Sequence, residues 1–511
     1  MPIQRLNKPI ANRRAGPPPG PARRAPDSLV GPTWLGTKLI LASLVIAWFL
    51  LGGRRGSDIA HNAAIVVGIG ILLSAIADSY RGLANLVRAD LFAILSFYFL
   101  TLFEFLFPQA NYDRLVSAPA TVMPVIICLW SFAGLAIGRH LARARGQPFR
   151  QVLTTPISSG DMMLMFVLSI VGGYLNMLVA VHFNVYEMVD AFLLPRFSQP
   201  WSRGRLGDWK ALFDEIGMIL YLLPPMAGIM LARRREYNIV QLSVVVLALL
   251  FTLFYGYTGG TRNIFDSYLV TFLTGYAFAT RKERRHELFY VGAICAALLI
   301  FSTVTMTKFR EIGLRDYLSG EMNIEQPRDT ELLAVDLDLY PLSEIAQTFP
   351  ARHDYLGFQI IYLALIRPIP RAVWHNKPEG MTVSIESLVG AGDTWTVSAS
   401  FVGETYMSGG MIAVFLIAAG FGWLAGWWNR LASPENSQLG WLIYASGFFA
   451  VVISMRSVLY FTTAILPTLV AFGLTAYITG KGVHGARRVL RGGGRRPGLA
   501  RPRPVPSITR Q

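Results

Sequence analysis

Two cysteines in 511 residues, Cys128 and Cys295, leave no room for a disulfide framework or a cysteine metal centre, and each lies inside an apolar run. Charge is scarce too. Charged residues make up 15% of the chain against 53% hydrophobic, a balance outside that of soluble domains of this size. There is no Walker-type lysine loop, no glycine fingerprint after a strand and no H-x-x-x-H or C-x-x-C pair, and the seven histidines are scattered. ATP use, dinucleotide chemistry and a conventional zinc site therefore lack support, and no metal and no cofactor is expected. A cleavable signal pattern is also missing, since a Pro/Arg-rich arm precedes the first apolar run and no small-residue cleavage site follows it.

Apolar runs long enough to cross roughly 30 Å of hydrocarbon are what the chain has instead. They are continuous rather than alternating, which excludes a transmembrane barrel. The fold class expected is all-α, a polytopic helical membrane protein with about twelve spans, near 33–51, 58–77, 89–107, 120–138, 161–181, 213–231, 238–257, 263–280, 288–306, 410–428, 438–455 and 457–479. The sixth contains Pro224-Pro225 and should kink. The domain plan is a basic tail (1–32), nine spans (33–306), one large hydrophilic loop (307–409), three spans (410–479) and a second basic tail (480–511).

The formal net charge of +16 invites a nucleic-acid reading, but its distribution opposes one. Residues 1–32 hold six basic side chains against Asp27, and the stretch from Lys481 holds one Lys, eight Arg and no acid. Such Pro-, Gly- and Arg-rich tails suit disorder beside anionic headgroups. Partners expected are the lipid bilayer and no nucleic acid. Short loops carrying DSYRGLANLVR, RHLARARGQPFR, ARRREY, RKERRHE and NRLASPEN are all basic, which puts them and both termini on the cytoplasmic side. Arg54-Arg55 is the exception, falling outside in this scheme.

The opposite face collects 182–210, the turn 255–263, the large loop and a short turn at Met455-Arg456. Within the large loop, 331–349 alternates acids with leucines as a surface helix would, and 354–366 fits an interfacial or re-entrant helix stopped by Pro368 and Pro370. Arginine is in surplus on this face: Arg203, Arg205, Arg262, Arg310, Arg315, Arg367, Arg371 and Arg456. A guanidinium binds phosphate oxygens bidentately, and a cluster can hold a pyrophosphate. Snorkelling at span ends is the competing reading, above all for Arg205 and Arg456.

Arg262 follows Gly259-Gly260-Thr261 and opens a helix, so it marks either an anion site at a helix N-terminus or an ordinary glycine turn with an interface arginine. Arg367-Pro-Ile-Pro-Arg371 holds two arginines on a proline-stiffened segment expected to be extended. Glu404, in GETYMSGG just before the tenth span, is a general base on a sugar hydroxyl or a helix N-cap or first-turn acid. His353 and Asp393 compete for the base role. Trp374, Trp395 and Tyr406 are sugar-stacking surfaces or ordinary interface aromatics. Asp336-Leu-Asp338 has the D-x-D form of metal-dependent sugar transferases, and the solvated-helix reading is preferred for it.

GGTRN after a span, a long loop with RPIPRAVWHNKP, and SFVGETYMSGG before another span resemble the bacterial oligosaccharide repeat-unit polymerases of the O-antigen polymerase type, over roughly 255–415. The resemblance implies a glycosyltransferase of the bacterial inner membrane, compatible with a GT-C-like architecture, working on the extracytoplasmic face. Its substrate would be an undecaprenyl-pyrophosphate-linked oligosaccharide, and a chain-length regulator and flippase of the same pathway would be partners. It assigns catalysis to Arg262 and Arg371, with Glu404 added as base by inference from its position. Substrate binding falls to Arg367, Arg310 and Arg205, with Trp374 and Tyr406. No glycine lies eleven residues after Arg262, Arg310, Arg367 or Arg371, a spacing some members have. The rivals are an O-antigen ligase, for which His353 or His375 would serve, and a lipid flippase or secondary transporter, for which Glu104 and Asp266 are the charges near or within spans.

Overall fold

The computed structural model describes residues 31–142, 147–196, 198–201, 216–309, 312–320, 339–369, 373–374, 376–378, 380–388 and 398–477. Every regular element among them is a helix. In chain order we label α1 (Trp34–Phe49), α2 (Gly56–Ser79), α3 (Ala89–Thr101), α4 (Ala118–Gly138), α5 (Ser159–Ala180), α6 (Leu223–Ala232), α7 (Ile239–Thr258), α8 (Arg262–Ala279), α9 (Glu287–Phe309), α10 (Leu339–Thr348), α11 (Gln359–Ile366), α12 (Ser400–Trp428), α13 (Gln438–Arg456) and α14 (Val458–Tyr477). Eight of them are long and apolar enough to cross a membrane: α2, α4, α5, α7, α9, α12, α13 and α14. The chain is thus a helical membrane protein. α1, α3 and α6 with its preceding turn are shorter apolar helices.

Side chains join the helix ends into two groups. At one end Arg139, just past α4, donates to Thr37 of α1, and Asn429 beyond α12 accepts from Ala89 N at the start of α3. Tyr237 before α7 donates to Gln438 of α13, and Arg233 after α6 donates to Ala279 O at the end of α8. At the other end Ser57 of α2 meets Asp113 below α4, Ser343 of α10 donates to Ala120 O of α4, and Leu356 N donates to Met407 O of α12. We call the first the arginine-rich end and the second the loop end.

α12 packs most extensively on α4, because small residues let the backbones touch. A methyl group added at Gly134 or Gly138 would strike Phe415 O or Ala419 O, and one at Gly422 or Gly426 would strike Leu135 O or Arg139 O. Small residues four apart on both helices are the usual solution for close membrane-helix contact. α13 runs through the centre with 89% of its window buried, against 22% for α7 and 17% for α9, which lie at the lipid-facing periphery.

Three expectations need correction. Helix already starts at Ser400, so Glu404 lies in a helix rather than in a loop; Gly409 (φ 173) and Gly410 (φ 64) leave helical geometry and divide that stretch from the one that follows, near the start expected at 410. At this break Gly410 takes φ 64, open to glycine, and a methyl there would lie 2.7 Å from the Tyr355 hydroxyl. α10 is not a solvated surface helix, since Leu339, Leu342 and Ile345 are buried against α4 and α12. Arg367 is helical (φ −52, ψ −41), not extended, although Pro368 follows it.

Candidate functional site

That last departure builds the loop end. Pro368 has no N–H to give the carbonyl of Ala364 four residues earlier, and the Thr462 hydroxyl of α14 donates to it instead. Lys377 Nζ closes the same helix end, donating to the carbonyls of Arg367 at 2.7 Å and Ile369 at 2.8 Å, where a cation also suits the helix dipole. Locked this way, the half-buried Arg367 guanidinium lies 3.9 Å from the centroid of the Tyr460 ring.

Tyr460 lies in the first turn of α14, just past the break at Ser457 that ends α13, and Glu404 holds that turn. Its Oε1 accepts from Ser457 Oγ at 2.5 Å and its Oε2 from Val458 N at 2.6 Å, with Leu459 N also donating. The carboxylate is 3% exposed. It therefore caps the start of α14 from a neighbouring helix, satisfying N–H groups that would otherwise be orphaned in a low-dielectric setting. Arg367 exerts a Coulombic attraction on it. Ser398 Oγ donates to Arg456 O at 2.9 Å and ties the start of α12 to the same turn. The structure thus brings Glu404, Arg367, Lys377 and Tyr460 together on four segments.

Arg262 stands in a different packing. Gly260 (φ 62) ends α7, and Arg262 begins α8, 7% exposed, with Asp266 one turn on as an electrostatic partner. A cation at a helix N-terminus opposes the dipole, and the buried Asp266 offsets it. Tyr406 is 4% exposed, its ring edge against Tyr355 and its hydroxyl 3.5 Å from Phe349 O, so it is packing rather than an open stacking surface. Trp374 is half-buried, its carbonyl accepting from Lys377 N. His353 is exposed between α10 and α11. Arg203, Arg205, Arg310, Asp336, Asp338, Arg371, His375, Asp393 and Trp395 lie outside the described residues. No group of three His, Cys, Asp or Glu among the described residues is placed to hold a metal ion.

Sequence reading missed a second cluster, at the arginine-rich end. Arg88 NH2 bonds Asp78 at 2.7 Å and Asp90 at 2.9 Å, and its Nε reaches Asp90 at 3.0 Å. Arg139 NH1 lies 3.9 and 3.7 Å from the same two carboxylates. All four side chains are at most 1% exposed. Thr33 donates twice to Asp78 Oδ1, at 2.8 and 2.6 Å, and Asn429 Nδ2 donates to Asp90 while its oxygen accepts from Ala89 N and Tyr444. Two acids and two arginines make a neutral staple joining α1, α2, α3, α4 and α12. Arg88 and Arg139 had read as loop charges. The available signal was Asp90, an acid in the first turn of an apolar helix.

Residues 336–479 match the family model described as a domain of unknown function (DUF8712), a range that takes in α10 to α14 and so the whole Glu404–Arg367 arrangement. No curated protein and no solved structure matches the chain.

Proposed function

We propose that the protein is a membrane glycosyltransferase that polymerises undecaprenyl-pyrophosphate-linked oligosaccharide repeat units into a surface polysaccharide. In this reading it crosses the bacterial inner membrane about twelve times, with both termini cytoplasmic and the loop end outside. The observation that carries the reading is Arg367, held half-open over Tyr460 by contacts that spend none of its own N–H groups on an acid. A guanidinium kept in place at a membrane surface suits a pyrophosphate.

The reaction breaks the bond from the anomeric carbon of the donor glycan to pyrophosphate, and the leaving group departs with the electron pair. Arg367 takes up that charge. The acceptor hydroxyl forms the new glycosidic bond and gives its proton to a base. Of the candidate bases, His353 is exposed beside α10, while both Glu404 oxygens already hold the 457–459 turn. Glu404 then acts as a positioning residue, through the turn that carries Tyr460. Arg262 at the start of α8 is a second phosphate contact in this scheme.

A carrier of lipid-linked glycans is the second reading, favoured by Asp266, buried beside Arg262 inside the bundle, where ionisable groups mark transport paths. Deleting the gene in its host and sizing the lipid-linked glycans separates the readings. The polymerase reading expects single repeat units on undecaprenyl pyrophosphate, accessible from outside. Full-length chains still on that lipid mean a ligase. Units trapped on the inner leaflet mean a flippase, and an unchanged profile removes glycan assembly altogether.

A further inference from the structure

The arginine-rich end holds a cavity of about 290 Å³ between the segment after α6 and the segment after α8. Arg233, Arg235, Arg281 and Arg284 line it with Glu236 and Glu283, an excess of two positive charges. The acids do not neutralise it evenly. Glu236 takes Arg233 at 3.2 Å and Arg281 more loosely at 3.7 Å, while Arg284 is committed to Glu287 and to Ala232 O. Arg235 is exposed and has no ion-pair partner among the described residues. Arg235, without such a partner, and Arg281, which shares Glu236 with Arg233, come from the two walls of one cleft.

Those walls lead straight into α7 and α9, the two least buried of the eight candidate spans. Their first turns, a few residues past the cleft in the chain, expose Ile239 and Val240 (77% and 68%) and Phe289 and Tyr290 (76% and 63%). A cationic cleft leading into a bare apolar helix face is shaped for a molecule with an anionic head and hydrocarbon tails, and basic pockets between spans on the cytoplasmic side take such headgroups. We propose that this cleft is a binding site for one anionic phospholipid, its phosphate between Arg235 and Arg281 and its chains along α7 and α9.

Native mass spectrometry of the full chain in detergent tests this with phosphatidylglycerol, phosphatidylcholine and inorganic phosphate as probes. Saturable binding of phosphatidylglycerol over phosphatidylcholine is expected, weakened about tenfold or more in Arg235→Ala/Arg281→Ala and less in Arg235→Lys/Arg281→Lys. Equal binding of the two lipids, or phosphatidylglycerol binding unchanged in the alanine variant, overturns the proposal. Displacement of the lipid by millimolar inorganic phosphate assigns the same cleft to a free phosphate and overturns the lipid as its source. If the alanine variant does not fold, the wild-type preference between the two lipids and its loss at high salt decide the matter.

Discussion

Buried carboxylates sit at both ends of the bundle and are satisfied by opposite means. Asp78 and Asp90 are matched charge for charge by Arg88 and Arg139, and hydroxyl, amide and backbone donors fill most of the remaining valences. Glu404 is held by a hydroxyl and backbone N–H groups, while Arg367, which attracts it electrostatically, lies over an aromatic ring that is itself 45% exposed. The first arrangement is closed to solvent, with all four side chains at most 1% exposed. The second keeps a cation oriented and leaves it partly open. A buried ion cluster that is complete in itself is a staple; one whose cation forms no ion pair among the described residues is a place where an anion can arrive.

Breaking the closed cluster should cost most. Arg88→Ala leaves two carboxylates facing one arginine in a dry site, a loss of about 3–5 kcal/mol. The folded, monodisperse fraction on fluorescence-detected gel filtration should collapse. At the loop end, Glu404→Ala orphans the Ser457 and Val458 donors and should cost about 2–3 kcal/mol, read as a lower midpoint of thermal unfolding in detergent. Gly410→Ala is next, about 2 kcal/mol, because a left-handed backbone and the Tyr355 hydroxyl both resist the added methyl. Arg367→Ala sharpens the contrast from the other side. It should change stability by less than about 1 kcal/mol, since the ring contact is partly solvated, while abolishing glycan polymerisation.

The smallest effect is a pH dependence beside the closed cluster. The Thr37 hydroxyl accepts from Arg139 Nε and NH2 at 3.0 and 2.6 Å, so its own proton points to His140 Nε2, 2.6 Å away, and His140 is neutral with its proton on Nδ1. Burial, then the Arg139 guanidinium, holds His140 down from 6.5 to about 4. A base whose folded-state pKa is depressed contributes stability that is complete above the unfolded value and declines as pH falls from about 6.5 toward 4. His140→Gln should flatten that acid limb of the unfolding midpoint. A midpoint already independent of pH across this window in the unaltered protein would contradict the assignment.

How far the sequence reaches can be judged at particular residues. The apolar segments were legible because a span needs a long uninterrupted run, and among the described residues eight helices meet the length and hydropathy a crossing requires. The first turns of α12 were not legible: Glu404, Ser408 and the glycine pair lower the local hydropathy, yet burial against α10 and α13 keeps 400–408 helical up to the break at Gly409-Gly410. Arg367 stays helical before Pro368, and Thr462, nearly a hundred residues on, gives the Ala364 carbonyl the donor that the proline lacks. The Asp78–Arg88–Asp90–Arg139 cluster was invisible because charge counting assigns arginines to loops, and nothing local pairs residue 78 with residue 139. Glu404 and Arg367 were both named from sequence, but their shared dependence on the 457–460 turn belongs to the fold alone.

The most direct test is a reconstituted reaction. The purified full-length chain in lipid vesicles is given undecaprenyl-pyrophosphate-linked repeat units from its host, and the products are sized on a gel, with Arg367→Ala run beside it at matched folded content. A ladder of lengthening glycan with the unaltered protein, and only single units with Arg367→Ala, is the result the account predicts. No ladder from the folded protein, or the same ladder from Arg367→Ala, would contradict it.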